Sequence, residues 1–496
     1  MSQAAYIRDM MVDPAPDLAS GPCEVASFYA GRNVLITGGT GFLGRLLIER
    51  ILRSCAEVNN IFLLVRAKKG KSPAERFNKF FDDVIFERLK RERPAFLRKI
   101  VMIEGDVAKE DLGLSLEHTE LLRSTHIVLH GAATVRFDEN MRIAADINVR
   151  GTKKLLTFAK EMPNLEAFVH ISTAYCNCVQ EVIEEKFYPP PIDSEKLLSL
   201  LDTIFMKALR NEKLYRLLGK WPNTYAFTKA VAEDTIRRNC QNLPLCIVRP
   251  SIVIATSKEP VSGWINNVYG ATGVLVGAGV GLLRTLHCDE EMVADIIPAD
   301  YVVNTIIAAA WDIAKSPIYN VVSSCQRPIT WGQLAKYCEK YNPNIPSEKT
   351  VWYCCFKLNK YRWVHNLYVI FLHLIPAAIV DSLAWLTRQK PVSVIEYFTL
   401  QQWRFHNNNV LRLWDRMSPA DRSEFDLDIG SLNWEDYSYQ HVRGLRVYLL
   451  KDPLDTVPRA RVRYTKLRIA HYTLVIVFWG LVLWMLFSLL RIIGIL

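Results

Sequence analysis

A chain of 496 residues, half of them hydrophobic and 11% aromatic, has room for two or three domains around a sizeable core and is not a disordered polymer. Its formal net charge of +10 suits an anionic ligand or a membrane surface, but the basic residues are scattered and no nucleic-acid motif accompanies them, so nucleic acid is not an expected partner. The 11 cysteines lack framework spacing, and the close pairs Cys176/Cys178 and Cys354/Cys355 have no matching pair at zinc spacing, so they read as reduced thiols and no metal is expected.

Residues 1–30 carry Asp, Pro and Gly without an apolar h-region, and are read as an N-terminal segment rather than a signal peptide. Residues 33–37 (N-V-L-I-T) then read as a short buried strand, and an apolar-periodic helix runs over about 42–55. Between them lies the run Thr37, Gly38, Gly39, Thr40, Gly41, Phe42, Leu43, Gly44. Its glycines fit both G-x-x-G-x-x-G and G-x-G-x-x-G. Glycine permits the tight turn and lets the backbone approach a pyrophosphate, while the helix N-terminus adds its dipole and free N–H groups. The strand–turn–helix setting supports the motif. The second strand, 60–66 (N-I-F-L-L-V-R), ends in Arg66, with Lys68 and Lys69 behind. An acid there would serve the ribose 2′-OH of NAD; a cation favours the 2′-phosphate of NADP, so NADPH is the expected cofactor.

Further strands are expected at 99–104, 126–130, 167–172 and 245–250, mostly separated by helical patterns. The alternation predicts an α/β fold, a Rossmann-type doubly wound parallel sheet, over 31–324. Asp106 and Val107 follow the third strand, where a carboxylate reaches the adenine. His130-Gly131-Ala132-Ala133 closes the fourth, its small residues admitting a cofactor close to the backbone, and Pro250 closes the strand at 245–250 on the same side. Residues 186–220, which begin Phe187-Tyr188-Pro189-Pro190-Pro191, interrupt the rhythm as an insertion.

Tyr225 and Lys229 lie four apart and share a helix face. A free phenol has a pKa near 10; a lysine ammonium and a positively charged nicotinamide would favour its phenolate and draw the value down. Ser172 and Thr173 follow Ile171, and their hydroxyls suit a substrate carbonyl oxygen, Thr173 being the first choice.

Residues 325–455 are aromatic-rich and expected to be mostly helical. Within them, residues 363–386 are nearly as hydrophobic as the tail but contain His365, Asn366, His373, Pro376 and Asp381, and read as a buried or membrane-surface hairpin in preference to a span. Residues 469–490 are almost wholly apolar, and at 1.5 Å per residue they cover about 33 Å, a bilayer core. Arg459, Arg461, Arg463, Lys466 and Arg468 precede this stretch and only Arg491 follows, which predicts a tail anchor with the main body in the cytosol.

With these residues in place, the chain resembles the extended short-chain dehydrogenase/reductase superfamily, and within it the alcohol-forming fatty acyl-CoA reductases. The likeness is carried by the glycine run, Leu64-Val65-Arg66, Glu104-Gly105-Asp106-Val107, residues 130–135, 170–177, 225–229 and 248–253, and most specifically by residues 273–287 (G-V-L-V-G-A-G-V-G-L-L-R-T-L-H) with Asp295-Ile296-Ile297-Pro298. It covers about residues 30–450. The resemblance implies two successive NADPH-dependent reductions of an acyl-CoA, through an aldehyde, to a primary alcohol with loss of CoA. Tyr225 would be the general acid, Lys229 would tune it and hold the ribose, and Thr173 or Ser172 would polarise the carbonyl. Arg284 is the candidate contact for CoA; Val280 stands where the family often has lysine. The endoplasmic reticulum or the peroxisome is the implied membrane. Two alternatives are a membrane-anchored reductase or epimerase of the superfamily acting on a sterol or nucleotide-sugar, and a non-catalytic lipid-handling scaffold.

Overall fold

The computed structural model describes residues 21–68, 70–205, 216–313, 315, 317–374 and 395–493. Most of the 1–30 segment, Lys69, the centre of the 186–220 insertion and the second half of the 363–386 hairpin lie outside the described residues.

Seven parallel strands form the central sheet: β1 (Val34–Thr37), β2 (Ile61–Val65), β3 (Ile100–Glu104), β4 (Ile127–His130), β5 (Ala167–Ile171), β6 (Leu245–Pro250) and β7 (Ile318–Val321). Their order is β3-β2-β1-β4-β5-β6-β7. The strand order reverses at β1, where Val34 is in register with Ile61 on one side and Ile127 on the other. Open α/β sheets take their ligands outside the carboxyl ends of the strands at such a point. Every residue of β1, β2, β4, β5 and β7 is buried, and these strands are mostly apolar without alternation, as expected of a sheet covered on both faces.

Alternate residues feed opposite cores. Ile36, Leu63, Val169 and Val248 face α1 (Phe42–Ser54) and a later helix at Ala299–Trp311. Leu35, Phe62, Val128, Phe168 and Ile247 face α2 (Gly151–Ala159) through its Leu155 and Leu156. The insertion begins as α3 (Ser194–Phe205), whose Leu197, Leu198 and Leu201 pack on Phe227 and Val231 of α4 (Thr224–Asn239). Next come α5 (Ala271–Gly279), α6 (the Ala299–Trp311 helix), α7 (Trp331–Tyr341), α8 (Arg362–Val369), α9 (Asn408–Arg416), α10 (Trp434–Gly444) and α11 (Val457–Ile492).

The mostly helical region after residue 324 is knitted into the first. Val410 and Leu413 of α9, with Met417 and Phe425, belong to the same core as β1 and α6. Two-stranded parallel pairings join Arg404–Phe405 to Val182–Ile183 and Lys357–Asn359 to Thr285–His287. α11 starts twelve residues before the apolar stretch recognised in the sequence, and within it only Ala460 and Tyr464 are buried. It belongs to the one segment, Leu454–Ile492, that is long and apolar enough among the described residues to cross a membrane.

Candidate active site

The glycine run sits at the reversal point. Gly38 has φ +73°, and a Cβ there would meet the Gly131 carbonyl oxygen at 2.5 Å and the Ala132 nitrogen at 2.7 Å, so the turn lies hard against the end of β4. A Cβ on Gly44 would meet Gly39 Cα at 2.4 Å, which fixes how closely α1 packs on the loop. Gly41 is the N-cap of α1, exposed and without a capping side chain, which leaves first-turn amides for an anion. Phe42 stacks on Trp264 at 5.4 Å, and Leu43 is half-buried beside it. The Thr37 hydroxyl lies 2.7 Å from His130 Nδ1 and accepts the Ala132 N–H at 3.2 Å, tying β1 to β4 and setting Ala132 and Ala133 beside the loop. A dinucleotide pyrophosphate fits this side-chain-free cradle.

At the far end of the cradle the structure joins two residues singled out in the sequence: Arg66 Nη1 lies 3.3 Å from Asp106 Oδ2. Val107 is buried, pressed against Gly151 at the start of α2. Sequence reasoning missed Arg76, which donates to Thr40 Oγ1 at 2.8 Å and to the Arg66 carbonyl. Its signal was the capping box Ser72-Pro73-Ala74-Glu75, which starts the short helix Pro73–Asn78 that carries it.

α4 is capped by Asn223, whose Oδ1 accepts the Ala226 N–H at 2.8 Å and sets Tyr225 in the first turn. The half-buried Tyr225 ring stacks on Phe137 at 5.9 Å, and the Thr173 hydroxyl stands close enough to its phenol to favour the phenolate. Thr173 also donates to the Pro250 carbonyl at 3.4 Å, so the ends of β5, β6 and α4 meet across the insertion. Burial, reinforced by Cys176, pushes the Tyr225 pKa well above that of an ordinary phenol, and the Thr173 bond draws it back only in part. The sequence expectation of a lowered value assumes a positively charged nicotinamide beside the phenol; burial by the protein alone acts in the opposite direction. Lys229 is 3% exposed and its Nζ donates to the Ile171 carbonyl at 2.7 Å. Burial lowers its pKa to about 8 against the opposing pull of Glu233 and Cys176.

Ser172 is not beside Tyr225 in its bonding. Its hydroxyl donates to Glu233 Oε1 at 2.6 Å. Glu233 also receives Arg249 through both oxygens, at 2.9 and 2.6 Å, and the Cys176 thiol at 3.2 Å. This fully buried network, directly behind Lys229, escaped the sequence reading. Its traces were an acid four residues after Lys229 and an arginine inside the apolar run L-C-I-V-R-P. Asn148 escaped too. From the π-turn Asp146–Arg150 it accepts the Thr134 N–H at 2.9 Å and donates to Thr228 of α4 at 2.9 Å, locking the loop after β4 to the helix that bears Tyr225.

Arg284 keeps other company. Its guanidinium lies over Trp352 at 5.4 Å, and its backbone N–H donates to His373 Nε2 at 3.3 Å. Val280 is buried and lines an apolar cleft with Leu275, Val276, Cys354, Phe356 and Leu445, a cleft that shares no residue with the Tyr225 group. All 11 cysteines are free, and no cluster of metal-ligating side chains occurs among the described residues.

A phenol, a buried lysine and a hydroxyl at the strand ends beside the glycine turn are residue types that suit carbonyl reduction. Fold and site together define a nicotinamide-dependent oxidoreductase of the extended short-chain dehydrogenase/reductase class. The comparisons narrow the class. An NAD-binding family model described as Male sterility protein matches residues 36–306, and the Sterile model, with the same description, matches residues 372–452. Fatty acyl-CoA reductase wat of Drosophila melanogaster is 38% identical over 482 residues, which cover 94% of this chain and 93% of that protein. Fatty acyl-CoA reductase 1 of Homo sapiens is 36% identical over 478 residues, covering 92% and 93%. Among solved structures, the terminal R domain from the myxalamid PKS-NRPS biosynthetic pathway has a TM-score of 0.56 at 19% identity, covering 91% of this chain and 99% of that one. That likeness shows the fold. The chain belongs to the fatty acyl-CoA reductase family.

Proposed function

We propose that the protein reduces long-chain fatty acyl-CoA to a primary fatty alcohol with NADPH, releasing CoA and passing through the aldehyde. The observation that carries this reading is the meeting of Thr173 with the Tyr225 phenol across the long insertion, with the Lys229 ammonium buried one turn behind. When bound, the nicotinamide supplies hydride, first to the thioester carbonyl and then to the aldehyde. Tyr225, kept neutral by burial, gives its proton to the carbonyl oxygen in each reduction. Thr173 donates a hydrogen bond to that oxygen and orients the phenol. After the first reduction the C–S bond breaks and CoA leaves as its thiol. Lys229, charged below about pH 8, holds positive potential behind the phenol and is the group that would hold the ribose. The dry surroundings of α4 strengthen each of these interactions.

NADPH is preferred on this reading because Arg66 and Arg76 converge beyond the cradle and, among the described residues, Asp106 is the only acid bonded to them. Arg284, next to the root of α11, is the candidate for CoA phosphates. α11 anchors the protein in the endoplasmic reticulum or peroxisomal membrane, with the basic stretch from Arg459 to Arg468 on the cytosolic side. Membranes that carry the protein, given a panel of acyl-CoAs and NADPH, will yield fatty alcohol with one free CoA thiol and two NADPH consumed per alcohol. NADPH oxidation without thiol release overturns the assignment. Arg66→Ala will weaken NADPH binding by roughly ten- to a hundredfold and spare NADH, since a charge-assisted bond to phosphate contributes about 1.5–3 kcal/mol.

A further inference from the structure

Beside the root of α11, α8 wears its apolar side outward. Trp363, Leu367, Ile370 and Phe371 fall at i, i+4, i+7 and i+8 along α8 and the π-turn Ile370–Leu374 that continues it, one stripe of a helix. All four are exposed, Trp363 at 67% and Phe371 at 56%. The opposite side is pinned to the body. His365 is buried, with Nδ1 3.2 Å from Thr285 Oγ1 and its ring stacked on His287 at 5.7 Å. The flanking cations are tethered as well, Arg362 to Glu396 at 2.7 Å and Lys360 to Asp289 at 2.8 Å. Among the described residues, then, the helix is held by its opposite side and the stripe faces away from the body.

A chain of contacts ties this helix to the anchor. His373, at its end, accepts the Arg284 N–H; Arg284 lies over Trp352; and Trp352 Nε1 donates to His471 Nδ1 at 3.2 Å, two residues into the apolar stretch. Leu282 and Val351, exposed at 60% and 54%, adjoin the same contacts, for the Val351 N–H bonds the Val280 carbonyl. Exposed apolar side chains thus gather where the anchor turns apolar, and soluble monomers rarely leave a large patch of this kind in water. A Trp and flanking cations on an amphipathic helix suit the headgroup–acyl boundary.

We propose that the outward face of α8, with Leu282 and Val351, lies in the headgroup–acyl boundary of the bilayer that α11 crosses, seating the reductase body on the membrane. This rests on the reading of α11 as a membrane anchor. The body is then held at two points and has one orientation, and a substrate dissolved in the membrane meets the same side of it at each encounter.

The test uses the full chain in phosphatidylcholine vesicles whose acyl chains carry a photoactivatable carbene precursor, with adducts mapped by peptide mass spectrometry. Adducts are expected in residues 469–490 and also in residues 361–371. In the double variant Trp363→Ser/Phe371→Ser, adducts in 361–371 fall to background while those in 469–490 persist. Adducts confined to α11 overturn the docking face and leave the anchor standing. Adducts in neither region overturn the anchor reading itself and the docking face with it. Unchanged labelling of 361–371 in the double variant also overturns the proposal, because contact would then not depend on the stripe.

Discussion

α4 and α11 carry their polarity in opposite senses. α4 is rich in Thr, Lys, Glu and Asp, yet Thr224, Thr228, Lys229, Glu233, Asp234 and Thr235 are all buried. α11 is a run of Leu, Ile, Val, Phe and Trp over its second half, yet those side chains are exposed. The difference teaches that burial here follows partners. Lys229 has the Ile171 carbonyl, Glu233 has Arg249 and Ser172, and Asp234 has the Ser194 N–H, Arg237 and Arg238. A buried polar group so satisfied escapes most of its desolvation penalty. α11 satisfies its own backbone and offers hydrocarbon outward, the condition a bilayer demands.

Four changes break or sharpen this contrast. The largest effect is on α11. Deleting residues 469–496 will move the protein from the carbonate-resistant pellet to the soluble fraction; full retention in the pellet refutes the tail as the anchor. Next is Tyr225→Phe, which should lower turnover by about 10²–10⁴-fold while NADPH still binds, as judged by cofactor fluorescence. Near-normal turnover removes Tyr225 from the proton-donor role. Third is Glu233→Gln, which leaves Arg249 and Lys229 buried without their counter-charge. It should cost about 3 kcal/mol in urea unfolding, at the lower end for breaking a buried pair because Arg249 keeps the Glu184 and Lys186 carbonyls. A loss within error would mean that the pair contributes little to the fold.

The smallest effect separates Lys229 from its surroundings. Its folded pKa of about 8 lies below the unfolded value near 10.4, so the unfolded chain binds more protons between those pH values. Stability from this group therefore rises as pH climbs from about 8 to 10, by roughly 2 kcal/mol at about 1.4 kcal/mol per unit. Lys229→Met will lack that rise and keep or gain melting temperature at pH 7 while losing activity. A melting temperature that drops sharply at pH 7 would identify Lys229 as a structural residue.

What the sequence made legible was local. The cradle could be read because three glycines, a strand and a helix are contiguous, and the Tyr225/Lys229 pair because helical spacing places both on one face. Adjacent residues leaving a strand were harder. Thr173 ranked ahead of Ser172, but no sequence signal showed that the Ser172 hydroxyl is taken up by Glu233 while Thr173 stands beside Tyr225. Arg76, Asn148 and the Glu233–Arg249 pair depend on partners distant in the chain, where spacing says nothing. The burial that raises the Tyr225 pKa was not legible either, because it depends on Phe137 and on packing that no short motif encodes. The early start of α11 was hidden because hydropathy registers only its apolar part, whereas the part before it docks on the body, with Tyr353 packed on Tyr464 at 5.3 Å.

That polar first part of α11 acts as a gauge. Twelve residues precede the apolar stretch, and at 1.5 Å each they amount to about 18 Å of rigid rod. Because Tyr353 and Trp352 grip it as far as His471, its length and helical phase fix which side of the body stands beside the start of the apolar stretch. One inserted residue would swing the body by about 100° around the rod, while seven would lift it by about 10 Å and restore the bearing almost unchanged.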